Sequence, residues 1–163
     1  MFPRTSLFLL LLLLAGNLHA QLGISAGVAA GMQSYENQDD DPRILTGVEG
    51  LFRGAHLGLH VALEYTDLSS AGHTIILHPD VAYIQSFGPS TYLLAGVGPT
   101  HVSVDQNDSN ETWNAELELG YRTRGGTELF LRGRYYDYEW EGFRAFASPQ
   151  GIETSAGVRF KLR

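Results

Sequence analysis

From residue 22 onward, apolar and polar side chains alternate with a two-residue period, and turn-forming residues interrupt the pattern about every 15 to 20 residues. The pattern predicts eight strands, over 22–33, 43–53, 56–66, 73–86, 91–104, 112–123, 127–138 and 151–162, and no segment after the first twenty residues carries a helical period. In LGLHVALEY, Leu57, Leu59, Val61, Leu63 and Tyr65 share one face, while Gly58, His60, Ala62 and Glu64 share the other. The sixth strand repeats this, with Trp113, Ala115, Leu117, Leu119 and Tyr121 opposing Asn114, Glu116, Glu118, Gly120 and Arg122. In the seventh, Leu129, Leu131 and Tyr135 oppose Glu128, Arg132 and Arg134; in the eighth, Ile152, Ala156, Val158 and Phe160 oppose Glu153, Ser155, Gly157, Arg159 and Lys161.

The connections are of two kinds. Tight turns are predicted at Arg53-Gly54, at Phe87-Gly88-Pro89-Ser90 and at Arg124-Gly125-Gly126, whereas the links YENQDDDP, DLSSAG, DQNDSNE and EWEGFRAFASPQ are longer and polar. Short and long links alternate, so a meander places every short turn at one end and every long loop at the other. Membrane barrels have this asymmetry, and soluble meanders have no need of it.

The fold therefore depends on which face points inward. A soluble lipocalin-like carrier would hide the apolar face, and a membrane barrel would turn it to lipid. The polar faces are rich in Gly, Ala and Ser, which suits a crowded interior better than a water-facing surface. They also carry opposed charges: Glu49, Glu64, Asp80, Glu116, Glu118, Glu128 and Glu153 against Arg132, Arg134, Arg159 and Lys161, with His60 and His78 between them. Enclosed in a narrow lumen these groups must pair, because an unpaired buried charge costs several kcal/mol. Aromatic residues form two bands on the apolar faces, Tyr65, Trp113 and Tyr135 towards the long loops and Phe52, Tyr121 and Phe160 towards the short turns. The reading is an all-β, eight-stranded antiparallel up-and-down transmembrane β-barrel with an ion-paired lumen.

Composition changes the picture in three ways. The opening MFPRTSLFLLLLLLAGNLHA, with Arg4 before an unbroken apolar run and a small residue at Ala20, reads as a signal peptide over 1–20 and places the barrel in 21–163. The apolar run is about half the roughly 20 residues that a membrane-spanning helix needs. Removing twenty residues from 163 leaves 143, enough for one domain, and removing Arg4 takes the formal charge from −7 to −8, which argues against nucleic acid as a partner. With no cysteine, an exported fold relies on no disulfide.

With YLLAGVGPTHVSV as a strand phrase and GVRFKLR as the closing strand, the sequence resembles the small eight-stranded bacterial outer-membrane proteins of the OmpX, OmpA transmembrane-domain and OmpW-like superfamily. The resemblance covers 21–163 and implies a monomer in the bacterial outer membrane, in contact with its lipids and lipopolysaccharide, whose C-terminal strand is read by the insertion machinery. Such strands usually end on an aromatic residue; here Phe160 is followed by Lys161, Leu162 and Arg163, so that signal is shifted.

Candidate chemistry is sparse, and neither a cofactor nor a metal is expected. In RGRYYDYEW, Tyr135 and Asp137 stand where lipid A deacylases carry His and Ser in a penultimate strand, so that nucleophile is missing. A different His-x-Ser, His101 and Ser103, lies near the long-loop end of the fifth strand with Glu111 and Glu116 downstream, a spacing that permits a Ser-His-acid arrangement but also arises by chance. His60, Glu64, His78 and Asp80 could be drawn as a metal cluster, and are assigned instead to the ion-pair network. Pro79 and Pro99 fall at nearly the same height on neighbouring strands, where a bulge is expected; the alternative is a weakened seam. The longest loop exposes Tyr138, Trp140, Phe143 and Phe146, aromatic area suited to a surface partner or lipid headgroups. The expected role is envelope structure or surface interaction through the loops, with a lipid A acyl-modifying enzyme as the alternative.

Overall fold

The computed structural model describes residues 23–35, 43–68, 72–104, 108–137 and 150–162. Eight strands, β1 (Gly23–Tyr35), β2 (Arg43–Arg53), β3 (Leu57–Leu68), β4 (Gly72–Phe87), β5 (Thr91–Val104), β6 (Asp108–Arg122), β7 (Thr127–Asp137) and β8 (Gln150–Leu162), close into a barrel in sequence order. Every pairing is antiparallel, and β1 meets β8 from Ile24↔Leu162 to Tyr35↔Gly151, so the sheet has no free edge. At two of the short turns Gly88 and Gly126 take φ of 76° and 85°, a conformation that L side chains rarely adopt. At the third, the Gly54 amide donates to the Leu57 carbonyl at 2.7 Å.

The strands agree with the alternation except at β6, which begins at Asp108 rather than at 112. The polar run DSNE reads as loop from composition, yet it pairs with β5 down to Val104↔Asp108. Backbone pairing does not require apolar side chains, so a strand can extend past the lipid-facing belt.

Side-chain direction settles the sign of the faces. Val28, Val48, Leu63, Leu117, Leu119, Leu129 and Leu131 are exposed on the outer wall, Leu117 at 55%. Arg132, Arg134, Arg159, Glu118 and Glu153 are buried inside at 0–1%. Both aromatic bands lie outside: Tyr65, Trp113 and Tyr135 towards the long-loop end, Phe52, Tyr121 and Phe160 towards the short turns. An apolar wall around a charged interior is a membrane barrel, not a lipocalin-like cup. No helix among the described residues is long and apolar enough to cross a membrane.

Pro79 and Pro99 correct one expectation. The β4–β5 ladder runs to Leu77↔His101 and resumes at Val81↔Val97, with equal numbers of residues on the two strands between. There is no bulge. Pro79 still pairs with Val61 on β3, and Pro99 with Trp113 on β6, so the side on which each lacks an N–H faces the other proline. One lost pair of hydrogen bonds accommodates both, with no need for an inserted residue. Two missing bonds at about 0.5–1.5 kcal/mol each predict that the amides facing this seam, those of Leu77, Val81, Val97 and His101, exchange with solvent deuterium about tenfold or more faster than those of Leu119 and Leu131 between β6 and β7. Replacing both prolines with threonine restores the donors and slows that exchange; equal protection in the native chain would show that the seam is as tight as the rest of the wall.

Candidate functional site

The lumen is built in layers because inward residues from eight strands meet at each height. At the short-turn end Arg53 holds Glu128 at 2.7 Å and Arg122 approaches the same carboxylate at 3.3 Å. Both guanidiniums lie over the Tyr92 ring, at 5.2 and 4.6 Å from its centroid. Above them Leu51, Ala82, Ile84, Tyr92 and Leu94 form an apolar layer. A second apolar layer, Leu45, Ile76 and Val102, closes the long-loop side. The charged network lies between the two.

Arg159 donates twice to Glu118, at 2.7 and 2.5 Å, and also reaches Tyr92 and Glu49. Arg132 bridges Glu49 and Glu118, at 2.5 and 3.1 Å. The guanidiniums of Arg132 and Arg159 cover the Phe130 ring, at 4.7 and 4.2 Å respectively. One step higher, Arg134 contacts Glu64 at 2.8 Å and Glu116 and Glu153 at 3.1 Å. His78 links Glu64 at 3.1 Å to the Thr100 hydroxyl at 3.0 Å, and Tyr136 donates to Glu153. His60 faces Glu116 at 2.9 Å through Nδ1 and Glu49 at 3.6 Å through Nε2. Asn114 donates to Asp80 at 2.8 Å, to the Gly98 carbonyl and to Thr100. Multidentate guanidiniums and shared carboxylates offset the desolvation that isolated charges would suffer here.

The structure thus brings together Glu49, His60, Glu64, His78, Asp80, Glu116, Glu118, Arg132, Arg134 and Arg159, and excludes Lys161. Lys161 has the lumen parity, but it pairs with Ser25 near the end of β8 and is exposed at the rim, beyond the charged layers. Alternation predicts the side a residue faces but not its height relative to the ends of the barrel. His101 and Ser103 lie on the outer wall; His101 Nδ1 is 3.5 Å from Glu111, both exposed, and among the described residues Ser103 makes no hydrogen bond to the imidazole. Tyr138, Trp140, Phe143 and Phe146 lie outside the described residues.

Sequence reasoning missed the apolar layers and the lumen tyrosines Tyr92 and Tyr136. A signal was present. Ile44-Leu45, Leu51-Phe52, Ile75-Ile76 and Leu93-Leu94 are apolar pairs that break the alternation, which places a greasy side chain on both faces at those heights. Gly120 and Gly157 also mark where lumen rings lie, since a Cβ there would fall 2.0 Å from Tyr92 and 2.3 Å from Phe130.

No family model matches the chain, and no curated protein matches it. Solved structures do. The barrel is similar to Neisserial surface protein A, with a TM-score of 0.62 and 17% identity over 86% of this chain and 97% of that one. It is also similar to Ail, the attachment invasion locus protein of Yersinia pestis, at 0.59 and 11% over 88% and 99%, a protein also solved with the heparin analogue sucrose octasulfate. The outer-membrane enzyme PagL matches at 0.59 and 14% over 83% and 98%. At these identities the likeness is one of fold, and the chain has the fold of the small eight-stranded outer-membrane barrels.

Proposed function

We propose that the chain is exported by the leader read over 1–20 and stands in the bacterial outer membrane as a monomeric, non-conducting barrel. Its function is in the envelope, as a rigid anchor that holds its long loops against a surface partner or lipopolysaccharide headgroups. The observation that carries this reading is the filled lumen: Arg132, Arg134 and Arg159, all buried, lie across the bore between two apolar layers. A barrel so plugged is built for rigidity rather than passage. Ail, which shares the fold and binds a sulfated ligand, supports a role in surface contact.

A second reading is favoured by the His101–Glu111 pair. With Nδ1 towards the carboxylate, Nε2 is left to act as base for Ser103, two residues along the same lipid-facing side, and the substrate would be an ester of an outer-leaflet lipid. PagL shows that the fold accommodates an enzyme. One experiment separates the two readings. Expressed in a Gram-negative host, the chain should bind lipopolysaccharide or host-surface glycans, lose that binding when Tyr138, Trp140, Phe143 and Phe146 are all replaced by serine, and leave the mass of lipid A unchanged. A lipid A mass change abolished by Ser103→Ala would replace the first reading with the second.

A further inference from the structure

The charged layers do not balance. Six buried carboxylates, Glu49, Glu64, Asp80, Glu116, Glu118 and Glu153, face the three guanidiniums of Arg132, Arg134 and Arg159. Among the described residues five of the six touch at least one of those guanidiniums; Asp80 touches none, and its one basic neighbour within 4 Å is His60. Asp80 is fully buried, and its Oδ2 has no hydrogen-bond partner. That oxygen points at His60 Nδ1 from 3.9 Å, and Glu116 Oε1 lies 2.9 Å from the same nitrogen. The ligand atoms of these three residues all lie within 4.8 Å of one another.

We propose that His60 Nδ1, Asp80 Oδ2 and Glu116 Oε1 bind one divalent transition-metal ion, of the zinc or manganese class, inside the closed lumen. One imidazole nitrogen and two carboxylate oxygens suit such ions, whose ligand atoms lie about 2.0–2.2 Å from the metal. The surroundings are those of a metal site. A metal-bound histidine ordinarily donates its other ring N–H to a carboxylate, and His60 Nε2, without a hydrogen-bond partner, already faces Glu49 at 3.6 Å. When the ion takes Nδ1, the proton there moves to Nε2 and Glu49 accepts it. Asn114 holds the other oxygen of Asp80, which leaves Oδ2 directed at the imidazole. Arg134 and Arg132 approach Oε2 of Glu116, leaving Oε1 to the site.

The neighbouring group of Glu64, His78 and Glu153 is different. Arg134 lies on both of its carboxylates, so a guanidinium already occupies the position a metal would take.

The placement also gives the ion a task. Its ligands come from β3, β4 and β6, and Asp80 is adjacent to Pro79, so the ion ties β4 to β6 across the strand whose ladder the two prolines interrupt. Gly98, opposite, lets the strands approach: a Cβ there would fall 2.4 Å from Asp80 Oδ1. The ion is a cross-brace for the weakest part of the wall.

The test folds the full chain into detergent micelles from denaturant, with Zn²⁺, with Mn²⁺ or with a chelator, and strips loose metal before elemental analysis. Gel mobility before and after boiling reports folding. The wild type should retain about one ion per chain, and the loaded form should show at least severalfold slower deuterium exchange at Leu77, Val81, Val97 and His101 than the chelated form. Asp80→Asn, nearly isosteric, should fold and lose the ion, whereas Glu153→Gln should keep it. A folded wild type that retains no metal would overturn the proposal, as would Asp80→Asn that retains the full equivalent or Glu153→Gln that loses it. Should Asp80→Asn fail to fold, the wild-type metal content and the seam exchange decide the matter.

Discussion

Replacing Arg159 with methionine should destabilise the barrel by about 3–5 kcal/mol, the largest loss expected from a single lumen substitution. Arg159 is fully buried and supplies a two-pronged contact to Glu118, a bond to Glu49 and one to Tyr92. Methionine fills much of the volume and can lie on Phe130 as the guanidinium does, so lost packing is a small part of the effect. The cost comes from Glu118 and Glu49, which remain buried and, among the described residues, share the one guanidinium of Arg132. Urea unfolding of the detergent-folded protein, followed by loss of the compact gel form, measures it. Adding Glu118→Gln to Arg159→Met removes one stranded charge and should recover part of the loss, because interactions within one network are not additive. A single substitution costing under about 1 kcal/mol would mean that the lumen is hydrated enough to screen these charges.

The outer wall answers to the opposite rule. Leu117 lies midway between the Trp113 and Tyr121 bands on β6 and points outward, paired with Ala95 and Gly133. Leu117→Arg should cost about 2–4 kcal/mol in bilayers, since a guanidinium near the midplane must leave water, whereas Leu117→Ile should be nearly neutral. On the outer face of a soluble barrel the same arginine would stand in water and cost almost nothing. Reversible unfolding from lipid vesicles separates the cases, and an arginine tolerated at this height would contradict the membrane orientation.

Much of this architecture was legible along the chain because the responsible signals are local. A two-residue period reports strand and face at once, and the short turns need only glycine and its neighbours at Gly54, Gly88 and Gly126. The lumen residues were legible as a set for the same reason. Lys161 was misread because parity carries no information about height, and the apolar layers were missed because Leu45, Leu51, Ile76 and Leu94 each sit beside an outward apolar neighbour that accounts for the pattern alone.

The number of strands, their antiparallel order and the apolar sign of the outer wall are consequences of periodicity and composition within a dozen residues, and can be read along the chain. Which side chains meet in the lumen is set by the closed barrel. Glu49 finds Arg132 and Arg159 across separations of 83 and 110 residues, Pro79 comes to face Pro99 without a bulge, and Asp80 is left with His60 rather than an arginine. Those outcomes follow from the stagger at which eight strands close, which no single strand encodes.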